Sequence, residues 1–318
     1  MVNLGNMSVA DLRLGATQVK AAYIGSEQVW GGEEPVPVTV KSLKFTATQA
    51  NSTVCLSSLN GYSGTYLSSG DGVTFSSYDM NGVVSLDSVG DSVWFKAGAD
   101  NPKSSRDDNN SDWSGPRFVG TGLLSVDGWL ESLTRVDEAD WYSYERAYCA
   151  LFRDNGAIEK VVARGEFLSA EQGERYSGAQ QFRNTFRNCS ALTSIEFPDI
   201  LSAAGANYWT NFATGMFQNS FCQDNSLQVA RFPKLEYART ISLWAAFEND
   251  PALLSVEFPS LKRAESDAFF AIFNGMTGVP KVVLLSAMES VPKMAYSREG
   301  WSNLNSETSV VIPDALYD

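Results

Sequence analysis

A seven-residue phrase returns three times in the C-terminal half of this chain and constrains its fold more than any other feature. It reads Leu192-Thr193-Ser194-Ile195-Glu196-Phe197-Pro198, then Leu227-Gln228-Val229-Ala230-Arg231-Phe232-Pro233, then Leu253-Leu254-Ser255-Val256-Glu257-Phe258-Pro259. An apolar residue opens each copy, small or apolar residues follow three and five positions later, and proline closes it. Looser copies keep the spacing at Ile158, Val161 and Ala163 upstream, and at Val279, Val282, Leu284 and Leu285 downstream. Val310-Val311-Ile312-Pro313 reads as a worn last copy. The openings at 158, 192, 227, 253 and 279 recur about every 26 to 35 residues, the range of solenoids. Such a stack offers a broad face whose ordinary work is binding.

A second element precedes each phrase: Phe182-Arg183-Asn184-Thr185-Phe186-Arg187-Asn188-Cys189, Met216-Phe217-Gln218-Asn219, Ala245-Ala246-Phe247-Glu248-Asn249-Asp250, and Phe269-Phe270-Ala271-Ile272-Phe273-Asn274. It reads as a short helical turn that carries Phe and stops at Asn, a residue that tolerates the left-handed conformation. Phe stacking on Phe from coil to coil would make the core a continuous apolar column. The copy at 217–233 fits only with an insertion around Ser220-Phe221-Cys222.

The rest divides by texture. Residues 1–30 form an N-terminal anchor in which Leu14-Gly15-Ala16-Thr17-Gln18-Val19 is echoed as Ile24-Gly25-Ser26-Glu27-Gln28-Val29. Its glycines suit turns or bulges between short strands. So small a segment cannot bury a core and is expected to dock through Leu14, Gly15, Val19, Tyr23, Ile24, Gly25, Val29 and Trp30. Residues 31–37, Gly-Gly-Glu-Glu-Pro-Val-Pro, form a linker. Residues 38–133 read as a β-sandwich, with short strands between Gly, Asn, Asp and Ser turns and one strand placed at 73–75. Residues 134–318 hold the solenoid, capped by a short helix over 140–152 with Trp141, Tyr144, Tyr148, Leu151 and Phe152 at helical spacing. Leu192, Ile195, Phe197, Leu227, Phe232, Leu253, Val256 and Phe258 are expected in the repeat core.

Composition removes several function classes. There is no histidine, and with it go the usual general base and the commonest transition-metal ligand. A formal charge of −13 argues against nucleic acid and anionic membranes as partners. No apolar run is long enough for membrane insertion. The N-terminus lacks the basic and apolar regions of a secretory signal, so the chain is not expected to leave a cell by that route. Cys55, Cys149, Cys189 and Cys222 are scattered and expected to be buried free thiols.

The loop at 100–112 alternates Asp108, Asn110 and Asp112 like oxygen ligands. However, Trp113 stands where a calcium loop needs glycine and no bidentate Glu follows, so a solvated loop and no metal is the expectation. No motif selects a carboxylate pair, and Gly120 and Gly122 lack the Lys-Ser/Thr step of a phosphate loop. Neither an enzyme nor a cofactor is expected. The best candidates for a recognition surface are Tyr62, Tyr66, Tyr78, Trp113, Tyr208, Trp209, Trp244 and Trp301, although each alone is expected to be partly buried.

The stretch Phe186–Pro198 resembles a repeat of the BspA-type leucine-rich family: an Ala/Met-Phe turn, an Asn-Cys step, then Leu-x-x-Ile-x-x-Pro. The copy at Phe247–Pro259 keeps most of it, with Asp250 where Cys is usual. Leu43–Ala47, Asn51–Val54, Ser68–Tyr78, Gly90–Lys96 and Val126–Leu133 resemble the β-domain that precedes such repeats in proteins of gut bacteria and their phages. The N-terminal duplication is similar to a segment at the start of phage structural proteins. Together these resemblances imply a mixed, β-rich fold: a β anchor, a β-sandwich and a leucine-rich-repeat solenoid. They imply a virion protein, assembled in the host cytoplasm as an accessory fibre or decoration protein. Its partners would be other virion proteins through residues 1–30 and a host-surface or glycan ligand, with homo-oligomers such as a trimer compatible. A BspA-type bacterial cell-surface adhesin is the alternative.

Overall fold

The computed structural model describes residues 40–59, 62–98, 115–133, 148–165, 181–205, 215–265, 267–276 and 282–289, with short strands near both ends. The protein is β-rich and divides into two compact units, Met1–Val40 and Lys41–Asp318.

The first unit contains two antiparallel hairpins. β1 (Arg13–Leu14) pairs with β2 (Thr17–Gln18), and β3 (Ala21–Ile24) with β4 (Glu27–Gly31). The sequence duplication is thus a structural one: Leu14 faces Thr17 and Ile24 faces Glu27, each pair across two residues of which Gly is the first. That composition suits a two-residue hairpin.

The second unit begins with eight strands: β5 (Leu43–Ala47), β6 (Ser52–Leu59), β7 (Tyr66–Ser69), β8 (Ser76–Tyr78), β9 (Val83–Leu86), β10 (Ser92–Ala97), β11 (Gly115–Thr121) and β12 (Leu124–Trp129). Strict alternation drives them: in β5 Leu43, Phe45 and Ala47 are buried while Lys44 and Thr46 are not. β8, β7, β10, β5 and β12 join one sheet, and β11, β6 and β9 a second. The sheets share a core, since Phe118 of one meets Phe45 and Phe95 of the other at 4.5 and 5.3 Å between ring centroids.

The strand expected at 73–75 does not form. Asp71 Oδ1 accepts the N–H groups of Val73 and Thr74, both at 2.8 Å, so neither donates to a ladder, and β8 starts at Ser76. The Ser69 hydroxyl, donating to the same oxygen at 2.6 Å, and these two amides hold the Asp71 carboxyl well below the usual carboxylate range. A 3-10 turn at Leu130–Leu133 closes this part.

Further strands follow: β13 (Ile158–Arg164), β14 (Ser194–Glu196), β15 (Ser202–Ala203), β16 (Val229–Arg231), β17 (Tyr237–Ala238), β18 (Ser255–Glu257), β19 (Arg263–Ala264), β20 (Val282–Leu284) and β21 (Ser309–Val311). β13 pairs in parallel with β12, and β14, β16, β18, β20 and β21 add in parallel after it. One eleven-stranded sheet therefore runs from β8 to β21. β15, β17 and β19 form a small parallel sheet of their own.

The second sheet continues too, though not as strands. Phe118 N–H donates to the Leu151 carbonyl at 2.8 Å, and residues 148–154 extend β11's edge. Beyond them the N–H groups of Tyr148, Ala150, Phe152 and Asp154 donate to the carbonyls of Gln181, Arg183, Thr185 and Arg187 on the next coil. The intervening amides of Leu151, Arg153 and Asn155 bond three residues back. These segments are chains of β-turns and not the helical turns expected, nor does the expected cap helix reach Tyr148–Phe152; its residues 140–147 lie outside the described ones. The reason is the backbone: alternate N–H groups are spent on the next coil, and Ala150 and Asp154 have φ of 55° and 57°, which a right-handed helix excludes. Left-handed Asn residues end the turn chains at Asn188 and Asn249, with φ of 60° and 58°, whereas Asn219, at 53°, is followed by further turns to Gln223 and Asn274 is not left-handed.

Ring stacking runs through the unit. Phe118, Phe152, Phe186, Phe221, Phe247 and Phe273 form one column, with centroids 5.0–6.0 Å apart and planes within 23°. Tyr148, Phe182 and Phe217 form a second, and Phe197, Phe232 and Phe258 a third. Every expected repeat-core residue is buried: Leu192, Ile195, Phe197, Leu227, Phe232, Leu253, Val256 and Phe258.

Two details of the repeat differ from expectation. Phe221 stacks between Phe186 and Phe247, so residues 220–222 are in register and hold no insertion. The extra chain is 206–214, entered and left through a bridge between Gly205 and Gly215. Downstream, Val283 pairs opposite Val256, which shifts the copy one residue from the spacing read at Val279 and Val282. The bridge glycines are required by space. A Cβ on Gly205 would collide with the Thr240 carbonyl oxygen, and one on Gly215 with that of Ile241. Gly215→Ala is expected to destabilise by about 1–3 kcal/mol, as overpacking does, measured by urea titration.

Candidate functional site

The long sheet has two faces, set by the period of two. Inward point Val93, Phe45, Val126, Val161, Ile195, Ala230, Val256 and Val283, paired neighbour to neighbour across the strands and all buried. Outward lie two rows in the same register. One is Trp94, Lys44, Asp127, Val162, Glu196, Arg231 and Glu257; the other is Ser92, Thr46, Ser125, Lys160, Ser194, Val229 and Ser255. None of these outer residues is buried. The open face from β10 to β18 is therefore an array of charges, hydroxyls, two valines and one indole, fixed by backbone pairing.

Some of the charges on and beside it are paired at the surface. Arg231 Nε lies 3.0 Å from Glu257 Oε2, Arg164 Nε 3.3 Å from Asp127 Oδ1, and Lys41 Nζ 2.6 Å from Glu131 Oε1. Lys44 Nζ lies 5.0 Å from the Trp94 ring centre, and Lys41 Nζ 4.4 Å from that of Trp129. Solvent screens such pairs, so each contributes little to folding. A double-mutant cycle on Arg231→Ala and Glu257→Ala is expected to give a coupling of about 0.2–1 kcal/mol by urea titration.

The described aromatic residues among those read from the sequence do not gather on this face. Tyr62 and Tyr66 are buried, with hydroxyls 3.2 Å apart. Tyr78 is half-buried; its hydroxyl accepts the Leu56 N–H at 3.0 Å and donates to the Gly82 carbonyl. Trp244 is half-buried on a turn segment, edge-on to Phe270. Trp113, Tyr208, Trp209 and Trp301, like the 100–112 loop, lie outside the described residues. Of the anchor residues, Leu14, Tyr23, Ile24, Val29 and Trp30 fall in hairpin strands, while Gly15, Val19 and Gly25 lie outside the described residues. Trp94 and Trp129 were missed, although Trp94 sits between Val93 and Phe95, where alternation alone points it outward.

Beneath the face runs a buried polar column at equivalent places of successive coils: Asn155, Cys189, Asp224 and Asp250. Cys189 N–H donates to Asp224 Oδ1 at 2.6 Å, and Asp224 N–H to Asp250 Oδ1 at 2.7 Å. The Cys189 thiol donates to the Phe152 carbonyl, and burial pushes it well above its ordinary pKa. Burial pushes the Cys222 thiol up to about 12. All four cysteines are free, and Cys55, Cys189 and Cys222 are buried as expected, while Cys149 is half-buried. Thiols so shifted are poor nucleophiles at neutral pH. Among the described residues no three Cys, Asp or Glu side chains converge as metal ligands. No family model, curated protein or solved structure matches the chain.

Proposed function

We propose that this chain is a structural protein of a phage virion, an accessory fibre or decoration protein, built as a leucine-rich-repeat solenoid continuous with a β-sandwich. Residues 1–30 attach it to the tail or capsid, and the open face of the long sheet meets a host or mucosal target. The observation that carries this reading is the open face: outward rows held in one register from β10 to β18, whose charge pairs add little to folding. The duplicated hairpins support attachment, because two-stranded units of this size are marginal alone and gain stability against a larger surface.

Particles purified from the source culture, probed by mass spectrometry, test this. The protein is expected on particles, and a chain lacking residues 1–36 is expected to be lost from them. Absence from particles, with the protein on cell envelopes, would contradict the virion reading and favour a surface adhesin.

A further inference from the structure

The end of the open face formed by β10, β5, β12 and β13 differs from the rest. Three lysines there lie over aromatic rings: Lys41 over Trp129 at 4.4 Å, Lys44 over Trp94 at 5.0 Å and Lys96 over Phe75 at 4.1 Å. Arg164 stands opposite Trp129 in the β12–β13 register. With Lys160 of the outer row the cations number five, and against them stand Asp71 beside Gly72, Asp127, Glu131 and Glu159, so this end carries one cation in excess on a chain of formal charge −13. At physiological salt, fields fade over about 8 Å, so a ligand resting here meets the local cations and not the distant acids.

We infer that this patch binds an acidic polysaccharide, one carrying carboxylate or sulfate groups; the inference rests on the open-face reading above and gives that face its ligand class. A pyranose ring has an apolar face of C–H groups, a rim of hydroxyls and, when acidic, a negative substituent. The half-buried indoles of Trp94 and Trp129 offer flat apolar surface for the first. Gly72 fixes the Trp94 ring, since even a Cβ there would sit 3.0 Å from it. Ser92 and Thr46, whose hydroxyls are 3.0 Å apart beside Trp94, offer donors and acceptors for the rim. Each lysine is already at a ring, so a negative group on a sugar lying there gains a charge-assisted hydrogen bond. A neutral sugar would displace the ammonium from the ring with nothing to offset the loss. Single-stranded nucleic acid also seeks cations among aromatic rings, but its continuous backbone charge would extend beyond the patch over an acidic body.

The test is affinity electrophoresis of the full chain through gels containing dextran sulfate, polygalacturonate or unmodified dextran, with a single-stranded oligonucleotide as competitor. Retardation is expected in at least one acidic polymer and weaker at high salt, with none in dextran. Lys44→Gln and Lys96→Gln, at two half-buried lysines of the outer face, are expected to weaken it about fivefold or more each with unchanged thermal unfolding. No retardation in either acidic polymer, equal retardation in dextran, preference for the oligonucleotide, or unaffected variants would overturn the inference. Target-cell binding that is lost in Glu196→Ala/Arg231→Ala but kept in Lys44→Gln would sink the ligand class and leave the open-face reading standing.

Discussion

Phe186→Ala is expected to lower the unfolding free energy of Lys41–Asp318 by about 3–5 kcal/mol, the range for emptying a fully buried Phe site. Phe186 has no exposed surface and stacks on Phe152 at 5.1 Å and Phe221 at 5.8 Å, with Phe197 edge-on at 6.2 Å. It stands third in the column that begins at Phe118 on β11, so its loss breaks two junctions between coils at once. Stacked arrays draw their cooperativity from such interfaces. The wild type is accordingly expected to melt in one transition, and the variant in two, with the part N-terminal to the break retained longer. Urea titration by circular dichroism and tryptophan fluorescence measures both effects. A loss below about 1 kcal/mol would mean that the column is not what couples the coils.

Asp224→Asn is expected to raise stability at pH 8 relative to the wild type, because an amide has no proton to lose where the buried carboxyl would have to ionise. Asp224 is fully buried beside buried Asp250, and its Oδ2 has no hydrogen-bond partner. Burial first, then the Asp250 charge, push its carboxyl well above the ordinary range. The titratable and charged groups around it are Asp250 and the neutral thiols of Cys189 and Cys222, with Arg187 and Glu248 facing Cys222, and Asp154 and Arg117 facing Cys189. For a carboxyl raised on folding, the native state holds the proton over a pH range where the unfolded chain has released it. The stabilisation is complete below about pH 4 and is lost as pH rises through the folded value. Asparagine removes that loss, and Asn155 shows that an amide fits such a place: it donates to the Phe118 carbonyl and accepts the Ala157 N–H, both at 3.0 Å. Other carboxyls act in the opposite sense, Asp71 among them, so the readout is the difference between variant and wild type. That difference should grow from pH 4 to pH 8; a flat difference would contradict a protonated Asp224.

Much of the fold was legible because two signals were strong. Alternation located β5, turn residues set off β6, β9 and β10, and the Leu-x-x-Ile-x-Phe phrase located the inner row and its stacked phenylalanines. The β-turn chains were not legible, because Phe and apolar residues at four-residue spacing suit a helix equally well, and inter-coil bonding decides the matter. One usable signal was overlooked. A Phe stands six residues before Ile158, Leu192, Leu227 and Leu253, and Phe118 stands six before Leu124. That spacing already placed β11 and β12 in line with the coils, where the register now puts Leu124 opposite Ile158. The candidate site was legible only in outline. Aromatic side chains were weighed one by one, yet Tyr62 and Tyr66 belong to the core, while Trp94 gains its place from pairing with Lys44 across a non-local ladder.

The measurement that tests the central claim most directly is binding of purified protein to host cells, compared between open-face and turn-face variants of equal stability. Glu196→Ala/Arg231→Ala alters the open face from β14 to β16, and Arg153→Ala/Arg187→Ala alters the turn segments on the opposite side. The account predicts that the first pair abolishes or sharply weakens binding and that the second leaves it intact. Full binding by the open-face pair, with loss in the turn-face pair, would place recognition on the other side of the molecule and contradict it.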